Sequence, residues 1–427
     1  MEDESVDWHL ASLACNVDTY PMLTERPGGH VMRRVKYSAV HAPIYSLLAL
    51  CLPAGIAVGQ EVAKPTQKPS ETSKADERWI PKLRLGDDTA YLEFYGQINK
   101  GLLVYDDGGS TDNYFPVDNG NSSTRAGFRF YSKMENNWSV GGNLEWEWTP
   151  YSTTNVNQLN KGDYDWEAQL LRKAEVYMES KEYGKFWFGQ GSMASDGSAE
   201  VDLSGTSVVG YSLISDMAGG PFLRFDDGTL SSIRVKDAFT NYDGLGRKLR
   251  FRYDTPSYGG FSVSSSFGTQ AVPEPSDVAV WDIALRYDQT IEDVKISGAL
   301  AFSRPGDGNS IYDASVSLLH QPTGLSLTLA AGYSDKESID GHYGYAKVGY
   351  QTDIFEVGKT AFSVDAYFGR DIKGKGTDSD SYGVQVVQNL DYWQTELFVG
   401  ARTYSYDDEV ASVQDSYAVL AGARLKF

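Results

Sequence analysis

Strict two-residue alternation of apolar and polar side chains, renewed in segment after segment from about Thr89 to the last residue, most limits what this chain can fold into. Successive side chains of a strand point to opposite faces. In the run Trp138–Trp148 one face therefore carries Trp138, Val140, Leu144, Trp146 and Trp148, and the other Ser139, Asn143, Glu145 and Glu147. The pattern recurs in Ala126, Phe128 and Phe130, in Leu249, Phe251 and Tyr253, in Trp281, Ile283, Leu285 and Tyr287, and in Phe362, Val364, Ala366 and Phe368. The last segment sets Tyr417, Val419, Ala421, Ala423, Leu425 and the terminal Phe427 against Leu420, Gly422, Arg424 and Lys426. One face suits oil and the other water, repeatedly.

About sixteen such segments follow one another, joined alternately by short turns such as Glu135-Asn-Asn137 and by longer loops rich in Asp, Gly and Ser. The expected fold is all-β, a transmembrane antiparallel β-barrel of about 16 strands, with about twenty-three residues per strand and connection. A soluble sandwich would need shorter strands around one core, and a propeller would show blade-length repeats that are absent here. Lys100 has the parity of Leu92, Phe94, Ile98 and Leu102, so a bulge or an upward-reaching lysine is expected there. Aromatics near strand ends, such as Tyr91, Phe94, Trp393 and Phe427, are expected to form interfacial girdles.

The amino-terminal part reads as an address. Met32-Arg-Arg-Val-Lys36, the apolar run around Leu47–Leu52 and the small residues Ala57 and Gly59 form a signal-peptide pattern over 32–59, with cleavage expected before Gln60. Residues 1–31 read as an upstream segment that is not translated or not functional, and 60–88, rich in Lys, Pro, Thr, Ser and Glu, as a flexible polar periplasmic tail ahead of a barrel spanning 89–427. Both cysteines, Cys15 and Cys51, precede the cut, which removes disulfides and thiolate chemistry from the mature chain. The whole-chain charge of −20 becomes −18, because residues 1–59 hold four bases and six acids. Nucleic acid is not an expected partner of so acidic a chain.

Catalysis finds little support. Only His320 and His342 remain in the mature chain, with no G-x-S-x-G or H-E-x-x-H motif, so no enzyme, cofactor or metal is expected. Asp106-Asp-Gly-Gly109 and Asp226-Asp-Gly228 lack the full pattern of a calcium loop and read as turns.

The longest break in the alternation runs between Gly191 and Gly246, and a loop of more than fifty residues needs a reason. It carries Asp196, Glu200, Asp202, Asp216, Asp226 and Asp227, while flanking strands present Arg125, Arg129, Lys248, Arg250 and Arg252 on their polar faces. Folded into the lumen, the loop would set acids against bases across a narrow gap, a field that favours polar solutes. The apolar stretch Val208–Ile214 inside it is expected to pack on the wall, as a short helix.

Leu92–Asn99 with Tyr105–Gly108, then Ser123–Arg129, Arg172–Val176, Phe188–Gly191 and Arg252–Pro256, taken in order with the terminal Phe427, resemble the successive strand motifs of Gram-negative general diffusion porins. The resemblance covers about Thr89 to Phe427. It implies an outer-membrane, water-filled channel for passive diffusion of ions and small hydrophilic solutes, assembled as a homotrimer, with the long loop as constriction. It also implies recognition of Phe427 by the barrel-assembly machinery and an outer surface in contact with membrane lipid. A substrate-specific channel, with an aromatic track drawn from Tyr131, Trp187, Tyr343 and Tyr345, is the alternative, and a plugged adhesive barrel a more distant one. The acidic balance predicts a mild preference for cations.

Overall fold

The computed structural model describes residues 78–427 apart from Asp307, Glu337, Ser338, Val410 and Ala411; the expected signal peptide and upstream segment lie outside the described residues. Sixteen strands close an antiparallel barrel. They are β1 (Ala90–Asp106), β2 in two pieces (Thr111–Asp118 and Arg125–Lys133), β3 (Trp138–Trp148), β4 (Gln169–Ser180), β5 (Gly184–Ser192), β6 (Arg247–Asp254), β7 (Phe261–Thr269) and β8 (Ala279–Ile291). They continue as β9 (Val294–Arg304), β10 (Ser310–His320), β11 (Leu325–Lys336), β12 (Ile339–Phe355), β13 (Gly358–Arg370), β14 (Thr377–Leu390), β15 (Thr395–Asp408) and β16 (Ser416–Lys426). Each pairs with its predecessor, and β16 pairs back onto β1 from Gln97 to Asp106, which leaves no free side to the sheet over that stretch.

The burial pattern is inverted relative to a soluble protein. Phe128, Leu144, Phe251, Ile283, Val364 and Val419 are exposed on the outer surface, while Lys347, Asp365, Arg402 and Gln385 are enclosed. A hydrocarbon surround explains both halves: backbone groups are satisfied within the closed sheet, apolar side chains face lipid, and polar ones face the interior. Outward aromatics gather at two levels. Phe186 with Tyr253 and Phe261 with Tyr287 sit towards the short turns, and Trp281, Phe302, Tyr312 and Tyr333 form a chain of ring contacts towards the long loops. Tyr91 departs from the expected girdle: it stacks at 5.4 Å on Tyr131, and its parity is that of Glu93 and Gln97, which line the lumen.

The two departures from regular pairing near Lys100 share one cause. β2 breaks between Asp118 and Arg125, and the β1–β2 register shifts between Gly101 and Leu103. Lys100 Nζ lies 2.5 Å from a wholly buried Asp118 carboxylate oxygen, so the lysine is held by an ion pair at the break.

At the opposite end, Leu83–Gly86 pairs with Tyr91–Phe94 beside the end of β16, covering the part of β1 that β16 does not reach. Trp79 N–H and Nε1–H donate to the carbonyls of Tyr392 and Trp393, and Gln394 donates to Ile80 O. The boundary expected at residue 88 therefore moves back: from residue 78 the chain is docked on the barrel rim, since an open strand edge and a turn offer it backbone partners. Phe427 exchanges backbone hydrogen bonds with Gly96 and stacks on Phe94 at 5.5 Å. Glycine suits position 96, because a Cβ there would lie 2.7 Å from the backbone oxygen of Arg125 as well as against the Phe427 ring.

Candidate functional site: the lumen

Residues 193–246 leave β5, cross the interior and return to β6. Their path is fixed by wall side chains that satisfy loop backbone which would otherwise be dry. Asp282 accepts from Ser195 N (2.9 Å) and Ser195 Oγ (2.6 Å). Val201 and Leu203 N–H donate to Ser315 and Ser317 on β10, at 3.0 and 2.9 Å. Lys347 on β12 donates to Asp202 Oδ2 and Gly210 O, both at 2.7 Å. Further on, Tyr367 donates to Thr240 O, Ser379 to Ala238 O and Tyr404 to Ile214 O. Asn119, at the break in β2, donates to Val208 O at 2.7 Å, so the loop spans the lumen from β8 to β2.

Between these polar ties lies an apolar cluster. Val208, Val209, Ile214, Met217, Leu223 and Phe239 pack with Leu103, Tyr114, Tyr404 and Leu420 of the wall. The stretch Val208–Ile214 packs against the wall as anticipated but is not helical; one 3-10 turn, Ile214–Asp216, follows it, and the loop's single α-helical turn is Val235–Ala238. Glycines at 205, 210, 219 and 220 explain why no longer helix forms there. The loop then emerges as a two-stranded hairpin, Phe222–Arg224 with Leu230–Arg234, which is tied to the β1–β2 turn through Arg224 and Asp107 (2.8 Å) and to the segment before β16 through Gln414 N to Arg224 O.

The loop acids fall into three settings. Asp196 is the one that approaches a lumenal base, lying 4.0 Å from Arg247. Glu200, Asp202 and Asp216 are packed between loop and wall: Asn241 donates to Glu200 at 3.0 Å, Lys347 pairs with Asp202, and Tyr211 donates to Asp216. Burial raises the Glu200 carboxyl well above the usual range, reinforced by neighbouring Asp243; Asp243 itself is raised to about 6 by burial and by Asp196, and Asp216 to about 7 by burial. Asp226 and Asp227 sit exposed in the hairpin turn, where Asp227 binds Thr229 N–H and hydroxyl. They do not reach the constriction, because the hairpin carries them out of the lumen. The Asp106-Asp107 turn likewise spends its carboxylates on local N–H groups and on Arg224, and among the described residues no three metal-ligating side chains converge.

The wall bases divide as sharply. Arg250 is buried, donates to Gly189 O and Ser192 O, and pairs with Glu175 at 2.5 Å; a Cβ at Gly191 would lie 2.0 Å from that carboxylate. Arg252 pairs with Asp254 at 2.7 Å and donates to Met193 O. Both thus hold the root of the loop. Lys248 donates to Gln270 beyond the end of β7. Arg125 and Arg129, by contrast, line a cavity of about 1320 Å³ that opens at the short-turn rim. Sequence reading missed six further bases of that cavity, Arg78, Lys82, Arg172, Lys173, Arg247 and Lys426. Glu145 pairs with Lys173 and Trp146 with Leu171, so Arg172 is one residue too many and the alternation changes phase at it. That bulge turns two consecutive bases inwards, which period-2 reading cannot foresee. Of the aromatic track, Tyr131 and Trp187 face the lumen in a row with Tyr91 and Tyr177, whereas Tyr343 and Tyr345 are covered by the loop.

The comparisons with known proteins agree with this architecture. An anion-selective porin from Comamonas acidovorans is similar in structure, with a TM-score of 0.53 at 15% identity, over 79% of this chain and 100% of that one. OmpT, an outer-membrane protein of Vibrio cholerae, in its trimer form, scores 0.50 at 14% identity over 80% and 100%. OmpF of Salmonella typhi in complex with daunomycin scores 0.51 at 13% over 81% and 100%. No curated protein sequence matches. The family model described as Gram-negative porin matches residues 46–409. The chain belongs to the Gram-negative porin family, and it is an outer-membrane β-barrel that forms a channel for passive diffusion.

Proposed function

We propose that the channel prefers anions and works as a homotrimer. The observation that carries the preference is the imbalance of the open lane. Arg125, Arg129 and Lys173 line the cavity without an ion-pair partner among the described residues, and Arg247 has only Asp196 at 4.0 Å. The cavity lining holds eight bases, Arg78, Lys82, Arg125, Arg129, Arg172, Lys173, Arg247 and Lys426, against five acids, Glu93, Glu145, Glu356, Asp391 and Glu396, of which Glu145 and Glu396 are already ion-paired. Ion selectivity follows the local potential of the narrow path, not the net charge, so this reading reverses the preference that the composition suggests. The similar Comamonas acidovorans porin is described as anion-selective and the Vibrio cholerae protein as a trimer, which supports both parts. Residues 32–59 are read as the export signal, and Phe427, seated on Phe94 and Gly96, as the assembly signal.

Reversal potentials in a KCl gradient across a planar bilayer test the selectivity. The chain starting at Gln60 is expected to pass chloride in preference to potassium, and Arg125→Glu with Arg129→Glu to shift the potential towards potassium. A potassium-selective wild type would refute the reading. Current steps in groups of three are expected of the trimer.

A further inference from the structure

The segment ahead of β1 continues the in-and-out alternation of the barrel wall. Leu83 and Leu85 are opposite Phe94 and Leu92 and are exposed, whereas Arg84 is opposite Glu93, which lines the cavity. Two and four residues before Arg84, Lys82 and Ile80 line the same cavity, and Arg78 does so at the start of the described chain. A strand that presents alternate side chains to two sides serves as wall. This one is also held in place. Trp79 donates its N–H to Tyr392 O at 3.2 Å and its Nε1–H to Trp393 O at 3.0 Å, and Gln394 donates to Ile80 O at 3.0 Å. The Arg84 guanidinium lies 3.9 Å from the centre of the Tyr91 ring. The backbone that carries Arg78 and Lys82 is thereby fixed at the short-turn opening of the cavity.

No ion pair joins Arg78 or Lys82 to an acid among the described residues, and Glu396 on the same lining is taken up by Arg424 and by Lys426, the latter at 2.7 Å. Glu356 and Asp391 share the rim, so the two cations offset acids that would otherwise draw potassium there. Of the surplus of three basic over acidic side chains on the lining, this segment supplies two. The sixteen strands and their turns alone would leave the lining close to balance. We propose that Arg78 and Lys82 are selectivity-determining residues of the channel, so that part of its filter is carried by chain ahead of the barrel strands and acts at the periplasmic entrance. The proposal deepens the anion-preferring reading above and rests on it. Fixed charges at a confined entrance raise the local concentration of counter-ions. Their reach is about 10 Å at about 0.1 M salt, so a charge on the inner side acts on passing ions and one behind the sheet does not. A segment that merely sealed the sheet edge would be indifferent to the sign of the charge at these two positions.

The chain from Gln60 onwards contains no cysteine, so a single one introduced at the entrance can be modified alone. Arg78→Cys, Lys82→Cys and, as the outward control, Leu85→Cys are folded in detergent and then labelled with a thiosulfonate reagent carrying either a sulfonate or a trimethylammonium group. Because labelling follows folding, any difference between the two labels reads charge and not assembly. Reversal potentials are measured in a potassium chloride gradient centred on about 0.1 M. At Arg78→Cys and Lys82→Cys the sulfonate is expected to lower the chloride-to-potassium permeability ratio roughly twofold or more relative to the trimethylammonium, which restores the positive charge and keeps the ratio near that of the wild type. At Leu85→Cys the two labels are expected to give the same ratio. Equal ratios for the two labels at both inward positions would overturn the proposal and, with a chloride-selective wild type, leave the anion reading intact. A difference at Leu85→Cys as large as that at Lys82→Cys would mean that the charge acts from outside the lumen, and would equally overturn it. A potassium-selective wild type would instead refute the anion reading on which the proposal rests.

Discussion

Single buried charges decide how firmly the interior is set. Arg250 and Glu175 are both nearly inaccessible, and each is the other's main compensation. Removing one leaves an unpaired charge in a dry place, which is costly in a way that removing both is not. Arg250→Met is expected to lower unfolding stability in detergent–urea titrations by about 3–5 kcal/mol, with Glu175→Gln in the same chain recovering most of it. The sequence told that these residues face inwards, since parity decides that. It could not tell Arg125 and Arg129, which remain open to solvent, from Arg250 and Arg252, which are consumed in holding the loop, because the distinction depends on partners distant in sequence.

At the level of elements, the long loop behaves as a packed insert with titratable contacts. Asp216 and Asp243 are raised to about 7 and about 6 by burial, and Glu200 is raised well above its ordinary range. A raised acid binds its proton more tightly in the docked state than in the undocked one. Docking is therefore favoured at low pH and loses stability as pH climbs from the ordinary carboxylate range, near 4, to about 7, above which the full penalty applies. Backbone hydrogen exchange across 193–246 is expected to be slower, relative to the intrinsic rate, at pH 5 than at pH 8. Asp216→Asn should flatten that dependence, and a dependence of the opposite sign would refute the account. The loop's extent, from Met193 to Gly246, was legible almost to the residue because alternation stops and resumes there. Its hairpin was not, since Asp226-Asp-Gly228 reads the same whether the turn points into the lumen or out of it. The inward bulge at Arg172 was hidden as well, because a register shift belongs to the pairing of two strands and not to either one alone.

For the whole molecule, the apolar outer face and polar inner face were the most legible property, because an all-round hydrocarbon solvent imposes the same rule on every strand. Less legible was the seam between first and last strands. β16 stops short of the beginning of β1, and only the docked segment Leu83–Gly86 completes the edge there. A chain beginning at Asp87 is expected to fold but to unfold at lower temperature on gel-shift melting. The loss should be about 2 kcal/mol if each of roughly four lost backbone hydrogen bonds contributes about 0.5 kcal/mol net. The loop's attachment has a further consequence, in the time domain. A constriction that swung on two stalks would modulate the current with its own motion, giving broad flicker around each open level. One held by side chains of many strands and by an apolar cluster can move only when those contacts break together. Its electrical signature is therefore a quiet open level interrupted by rare, complete and slow departures.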